Sequence, residues 1–231
     1  MEAIVLAGGL GTRLASRLDG IPKPMAPVGG RPFLEIVLGR LRGAGCSRVI
    51  LSVGHLSHVI QDCFGQSFEE MRIDYAVESS PLGTGGAIRA ALGRAAEETV
   101  LVLNGDTFLE VEYGAMLRFH AAQGVELTMA VSQQADVSRY GGVVLKGDRV
   151  ASFEEKGRSG PGWINAGVYA VQRDLVWPEG LGERFSLEMD YLARVVGGLG
   201  FAAYRQEGVF LDIGIPEDLD RAQALLAGFS S

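Results

Sequence analysis

The feature that most constrains this chain is its opening. Met1 to Leu6 is a short apolar run of strand-forming residues, and it breaks directly into the loop Ala7-Gly8-Gly9-Leu10-Gly11-Thr12-Arg13-Leu14. Gly8, Gly9 and Gly11 carry no Cβ, so the backbone can turn sharply there and come close to a ligand. The N–H groups of such a loop line an anion-binding concavity, with Arg13 placed to fork onto phosphate oxygens. Pro22-Lys23-Pro24 adds a second cation soon after. Strand, glycine loop, arginine and proline-flanked lysine together read as a polyphosphate site. A glycine turn that serves only packing is the bland alternative, and the two cations argue against it.

Two familiar phosphate loops do not fit. A P-loop needs Gly-Lys-Ser/Thr after its glycines, and none is present. The dinucleotide fingerprint fits Gly9-Leu10-Gly11, but Leu14 stands at its third glycine. The second strand, Val49 to Val53, ends in Gly54-His55 and not in the acid that grips a ribose. A nicotinamide or flavin enzyme is the weaker reading.

At 231 residues and 47% hydrophobic, with a mean hydropathy of +0.17, the chain suits one large α/β domain. Its longest apolar runs are too short to span a bilayer, and no leader peptide is evident, so a cytoplasmic protein without a membrane partner is expected. Cys46 and Cys63 read as reduced thiols. The net charge of −7 argues against a nucleic-acid surface. Residues 1–34 nevertheless hold Arg13, Arg17, Lys23 and Arg31 against Glu2 and Asp19, a local positive excess suited to a mononucleotide. Of 21 basic residues only Lys23, Lys146 and Lys156 are lysine. Two of the three fall in suspected site motifs, where a compact point charge has a use that arginine does not fill.

Along the chain, Phe33 to Arg42 has helical apolar spacing, Leu56 to Phe64 is a second helix, and Ile73 to Val77 a third strand ending at Glu78. Pro81-Leu82-Gly83-Thr84-Gly85-Gly86 is another glycine turn, followed by a helix from about Ala87 to Arg94. Val100 to Asn104 is a fourth strand, ending in Gly105-Asp106. The alternation predicts a mostly parallel sheet covered on both faces, with ligand loops at the strands' C-terminal ends. Helices over Tyr113 to Gln123 and Ser186 to Val196 are expected in the second half. Strands are expected over Leu127 to Ser132, Gly142 to Leu145, Arg149 to Phe153, Phe201 to Arg205 and Phe210 to Asp212, with a last helix starting at Ile215-Pro216. Lys146 falls in a hairpin turn. His55 and His58 have metal-pair spacing but no further ligand nearby, so a surface position at a helix start is the better reading. Trp163 and Trp177 read as packing residues.

Taken in order, Gly8-Gly9-Leu10-Gly11-Thr12-Arg13-Leu14, Pro22-Lys23-Pro24, Leu82-Gly83-Thr84-Gly85-Gly86, Asn104-Gly105-Asp106, Glu155-Lys156, Asn165-Ala166-Gly167-Val168-Tyr169 and Asp212-Ile213-Gly214-Ile215-Pro216 resemble the signature of the sugar-phosphate nucleotidylyltransferases. The resemblance implies a single-domain α/β fold, with a Rossmann-like, mostly parallel mixed sheet flanked by helices, of the nucleotide-diphospho-sugar transferase type. Residues to about 125 would form the nucleotide half and those from about 126 to 231 the sugar-phosphate half. The chain is expected to lack the C-terminal β-helix or acyltransferase domain that some relatives carry. The implied reaction joins a nucleoside triphosphate and a sugar 1-phosphate, with Mg²⁺, and releases pyrophosphate.

By the same resemblance Arg13, Lys23 and Asp106 are catalytic, and Asp106 and Asp212 hold the metal. Leu6, Ala7, Gly8, Gly9, Gly11, Thr12, Arg13, Lys23, Glu78, Leu82, Gly83, Thr84 and Gly85 contact the nucleotide. Asn104, Tyr140, Gly141, Glu155, Lys156 and Asn165 contact the sugar phosphate. Asn104 to Phe108, Ser138-Arg139-Tyr140-Gly141 and Phe210 to Asp218 are most similar to members that use GTP and a manno-configured heptose 1-phosphate, feeding lipopolysaccharide, capsule or S-layer glycans. Members using mannose, glucose or N-acetylmuramic acid phosphates share most of the signature. A non-catalytic nucleotide-sugar sensor on the same fold is the alternative of another class, and a homo-oligomer stays open. The chemistry itself asks for no general base, because a phosphate monoester with a second pKa of about 6 is already ionised at neutral pH. It asks instead for positive charge and in-line positioning.

Overall fold

The computed structural model describes residues 1–9, 11, 14, 17–18, 20–196 and 201–226. The opening apolar run forms β1 (Glu2–Leu6), and its residues alternate between two cores. Ala3 and Val5 pack in one apolar cluster and Ile4 in the other, all fully buried. A strand buried on both faces needs helices on both sides of its sheet, and the following elements supply them. They are β2 (Pro27–Val28), β3 (Arg31–Pro32), α1 (Phe33–Gly43), β4 (Arg48–Val53), α2 (Ser57–Phe64), β5 (Ser67–Phe68), β6 (Met71–Val77), α3 (Gly83–Leu92) and β7 (Thr99–Asn104). Phe33, Leu34, Val37, Leu38 and Leu41 of α1 join Ala3 and Val5, whereas Ile88, Ala91 and Leu92 of α3 join Ile4. Truncating a fully buried leucine such as Leu38 to alanine would cost about 2–5 kcal/mol.

The second half runs β8 (Thr107–Leu109), α4 (Tyr113–Gln123), β9 (Leu127–Gln134), β10 (Val143–Lys146), β11 (Arg149–Phe153), β12 (Gly162–Gln172), a π-helical turn over Leu187–Leu192 continued by the short α5 (Ala193–Val195), β13 (Ala202–Gln206), β14 (Phe210–Asp212) and α6 (Pro216–Leu226). One ten-stranded sheet threads both halves in the order β10-β11-β13-β9-β12-β7-β1-β4-β6-β5. β7, β1, β4 and β6 are mutually parallel, β12 is antiparallel to both β7 and β9, and β13 is parallel to β9. The mixed sheet flanked by helices is as expected, but it is parallel mainly in the first half: five of its nine neighbouring pairs are antiparallel, two of them made by one long strand the periodicity does not mark out. β12 is buried over most of its length, so its sequence shows no period-2 alternation.

Register places the site. Leu6 pairs with Ser52 and with Asn104, and Val53 pairs with Val77, so the loops after β1, β4, β6 and β7 leave the sheet on one edge. Chain order reverses between β1 and β7, the crevice where open α/β sheets bind ligands. Two expected helices differ in detail. α3 starts at Gly83, four residues before Ala87, and the Ser186 to Val196 helix opens as the π-helical turn. Lys146 ends β10 at a hairpin whose Gly147 has φ +58°, as its bland reading required. Among the described residues, no helix is long and apolar enough to cross a membrane.

Candidate active site

A cavity of about 590 Å³ opens at that crevice, lined by Leu6, Gly8 and Gly9 from the first glycine loop and Lys23 and Pro24 from the next turn. Gly54 and His55 follow β4, Glu78 to Pro81 follow β6, Gly83, Thr84 and Ala87 open α3, Asn104 ends β7 and Asp106 follows it. The loops after four parallel strands thus converge on one space, as the register demands. Arg13 and Thr12 lie outside the described residues. Ala7 is buried behind the loop, its N–H donating to Ser52 O at 2.7 Å, and Gly11 lies against Lys23 Cβ.

Lys23 opens a 3₁₀ turn, Lys23–Met25, held by Met25 N donating to Pro22 O and Ala26 N to Lys23 O. Prolines on both sides restrict its backbone. Its side chain is nearly buried, and Nζ lies 2.6 Å from Asp106 Oδ2 and 3.5 Å from Asp212 Oδ1. The two acids are brought together by a small antiparallel pair, β8 with β14, in which Thr107 faces Asp212 and Ile213 N donates to Asp106 O at 3.0 Å. Gly105 makes the approach possible, since a Cβ there would come within 2.6 Å of Leu6 O. Two carboxylates that converge on one cation from two strand ends are a hard-oxygen donor pair. That is the number and type Mg²⁺ takes from protein when phosphates and water complete its shell. No group of three or more His, Cys, Asp or Glu side chains is gathered as a metal cage among the described residues.

The glycines of the second turn also meet a constraint from within the chain. Gly85 N and Gly86 N both donate to Phe185 O, at 3.0 and 3.3 Å, and Phe185 N donates to Leu82 O. A Cβ on Gly86 would lie 2.3 Å from Glu183 O. The glycines admit the segment 183–187, which crosses the turn as a strap, so these N–H groups are spent within the protein. Leu82 N is likewise taken, by Glu78 Oε2 at 2.9 Å, while Ser52 Oγ donates to Glu78 Oε1 at 3.3 Å. Glu78 is the charged residue that lines the cavity from the β6 side.

Of the residues matched to the sugar phosphate, Asn104 and Asn165 lie on β7 and β12, while Tyr140, Gly141, Glu155 and Lys156 lie in the loops that flank β10 and β11. Tyr140 stands edge-on to Phe210 of β14 at 5.5 Å and under the Arg139 guanidinium at 5.3 Å, and burial pushes its phenol above the usual range. Asp218, buried on α6, fixes Arg139 through a 2.6 Å ion pair and raises the guanidinium's pKa. Gly141 packs against Glu154 O and Lys156 Cγ, which brings Lys156 beside Tyr140-Gly141. Glu155 and Lys156 are exposed and lie outside the cavity lining. Asn165 uses both ends of its amide inside the chain: Nδ2 donates to Tyr169 Oη at 2.6 Å, and Oδ1 accepts from Gly167 N at 3.0 Å.

Sequence reasoning missed the strap and Glu188, whose only signal was a glycine turn denser than ligand approach requires. His55 is exposed at a helix start, as read, and also borders the cavity. Trp177 packs on Phe185 and Tyr191, and both Cys46 and Cys63 are free thiols.

Comparison with known proteins completes the picture. A sequence model of the family described as "Nucleotidyl transferase" matches residues 2–226. The chain is 40% identical over 223 residues to the D-glycero-alpha-D-manno-heptose 1-phosphate guanylyltransferase of Aneurinibacillus thermoaerophilus, covering 96% of this chain and 97% of that one. It is 41% identical over 219 residues to the protein of the same name from Campylobacter jejuni, covering 94% and 96%. The structure of HddC from Yersinia pseudotuberculosis, also solved in complex with GMP-PN, superposes with a TM-score of 0.85 at 35% identity over 96% of this chain and 98% of that one.

Proposed function

This chain belongs to the nucleotidyl transferase family, and from that premise we propose that it transfers a guanylyl group from GTP to D-glycero-α-D-manno-heptose 1-phosphate, giving the GDP-sugar and pyrophosphate. One observation carries the reading: the cation of Lys23 held between Asp106 and Asp212 on a cavity ringed by both glycine turns. Relatives of near-full-length coverage that are named for this reaction support its substrates. Such nucleotide-sugar synthesis serves surface glycans.

The residues to about 125 hold the nucleotide, and the remainder holds the sugar phosphate. A sugar-phosphate oxygen attacks the α-phosphorus of GTP in line with the bond to the β-phosphate. That bond breaks, and its electrons leave on pyrophosphate. The nucleophile arrives ionised, so no side chain need take a proton. What the protein supplies is charge and position. Lys23 meets the triphosphate beside the N–H groups of Gly8 and Gly9, and Arg13 favours the leaving pyrophosphate. Enzymes of this family generally act with a divalent metal ion. Asp106 and Asp212 would hold it here, most fittingly as Mg²⁺, to offset the repulsion between the two anions.

Guanine fits the Glu78 end of the cavity. Its Watson–Crick edge presents two adjacent N–H donors, and a carboxylate is an acceptor with two oxygens. Uracil and thymine present one donor between acceptors, and a fixed carboxylate repels those acceptors. Asn104, Tyr140, Gly141, Glu155, Lys156 and Asn165 border the sugar phosphate, with Lys156 as its point charge.

The test is pyrophosphate release from each of four nucleoside triphosphates against a panel of sugar 1-phosphates with Mg²⁺. The highest kcat/KM is expected for GTP with the manno-heptose 1-phosphate. A preference for UTP, CTP or dTTP overturns the guanylyl assignment, and no release with any pair would mark a non-catalytic sensor.

A further inference from the structure

Glu188 belongs to no sequence motif of the site, yet its carboxylate is where two halves of the molecule meet. It sits in the first turn of the π-helical segment that follows the strap. Oε2 accepts from Thr84 Oγ1 and from Ser186 Oγ, each at 3.0 Å, and Oε1 accepts from Tyr169 Oη at 3.4 Å. Thr84 Oγ1 in turn accepts from Leu187 N at 2.8 Å, so the threonine hydroxyl is held from both sides. Tyr169 is fully buried, and its hydroxyl accepts the 2.6 Å bond from Asn165.

From Asn165 the connection returns to the cavity. Asn165 Oδ1 fixes Gly167, whose φ is +70° and whose missing Cβ would lie 2.7 Å from Asn104 Nδ2 and from Thr107 Oγ1. Only glycine both adopts that φ without strain and leaves room for the asparagine. Thr84 and Asn104 line the same cavity. The chain of contacts Thr84, Glu188, Tyr169, Asn165, Gly167, Asn104 therefore begins and ends on the substrate space and passes behind it through the core.

We propose that Glu188 is a positioning residue that couples the two substrate subsites: it locks the α3 turn beside the nucleotide to the Asn165–Gly167 turn beside the sugar phosphate, so that ordering either turn orders the other. A carboxylate suits this post because it accepts all three hydroxyls at once, whereas an amide offers one acceptor and one donor. The thermodynamic consequence is reciprocal: each substrate raises the affinity for the other by the same factor. The inference rests on the substrate assignment above.

The experiment titrates a non-hydrolysable GTP analogue by calorimetry, with Mg²⁺, in the absence and presence of saturating D-glycero-α-D-manno-heptose 1-phosphate. It is then repeated in the opposite order. Wild type, Glu188→Gln and Tyr169→Phe are compared, the last removing the relay hydroxyl while keeping the ring. Wild type is expected to show a coupling of roughly tenfold or more in both orders. In both variants the single-substrate affinities should stay within about threefold while the coupling falls toward one. If Glu188→Gln fails to fold, Tyr169→Phe carries the test alone. Coupling preserved in a folded variant, or absent from wild type, overturns the proposal and leaves the function standing. Failure of wild type to bind either ligand overturns the functional reading, and the proposal with it.

Discussion

Lys23 Nζ lies 2.6 Å from Asp106 Oδ2, and the two residues are 83 positions apart in the chain. Asp212 Oδ1 lies 3.5 Å from the same ammonium, so both carboxylates converge on it. A divalent ion held by the two acids would compete with it and leave Lys23 to meet the phosphates. Lys23→Met should therefore bind Mn²⁺ more tightly than wild type when no nucleotide is present, while turnover falls by about two orders of magnitude or more. Mn²⁺ titration followed by electron paramagnetic resonance checks the first part. Unchanged metal affinity would remove the lysine from between the ligands.

Asp106→Asn and Asp212→Asn each delete one carboxylate of the proposed metal site. Turnover should drop by orders of magnitude while the far-ultraviolet circular dichroism stays native, and chelating Mg²⁺ should silence wild type in the same way. Near-normal turnover in either variant would take that acid out of the metal site.

Glu78→Gln keeps the shape of the side chain and replaces one acceptor oxygen by a donor amide. Lost pairing with a guanine donor should cost about 1.5–3 kcal/mol in kcat/KM for GTP. UTP, whose carbonyl can accept from the amide, should lose less or gain. Competition between the two nucleotides, read as product ratio, checks this. An unchanged ratio would show that the base is read elsewhere.

Lys156 is exposed beside Gly141, whereas Lys23 is buried in the cavity wall. Lys156→Ala should weaken the sugar phosphate by roughly thirtyfold, the loss of a charge-assisted contact of about 2 kcal/mol, and leave GTP affinity alone. Lys156→Arg should rescue only in part, since a planar fork does not replace a point charge. Separate titration of each substrate decides, and two unchanged affinities would return Lys156 to the solvent.

His120 is buried away from the site, with Nδ1 2.8 Å from Thr128 Oγ1 and Nε2 facing the Gln172 amide nitrogen at 3.2 Å. With that amide as donor, Nε2 accepts and the proton sits on Nδ1. Burial lowers its pKa below the ordinary 6.5. The folded pKa lies below the unfolded one, so near and below pH 6.5 the unfolded chain binds a proton that the folded chain does not. Stability is then full above that pH and falls as pH drops, by up to about 1.4 kcal/mol per unit. Urea midpoints at pH 7.5, 6.5 and 5.5 should show this slope in wild type and lose part of it in His120→Gln. Equal slopes would contradict it.

What the sequence determined by itself were features that act over a few residues. The apolar run of β1 breaking into glycines, the helical spacing of α1 and α4, and the hairpin around Gly147 all form as read, because burial pattern and backbone sterics are local. The motif order also singled out Lys23, Asp106 and Asp212, which the fold brings together. What only the tertiary structure decided depends on segments far apart in the chain. β12 runs antiparallel in the middle of the sheet, a choice made by its neighbours β7 and β9. Gly85 and Gly86 are small because Glu183 and Phe185 cross them, and no pattern within residues 81–86 records that contact. Glu188 matters through hydroxyls from Thr84 and Tyr169, 104 and 19 residues away. Hydrogen bonds of this kind are short and directional, so they exist only once the folded backbone has placed donor and acceptor within about 3 Å of each other.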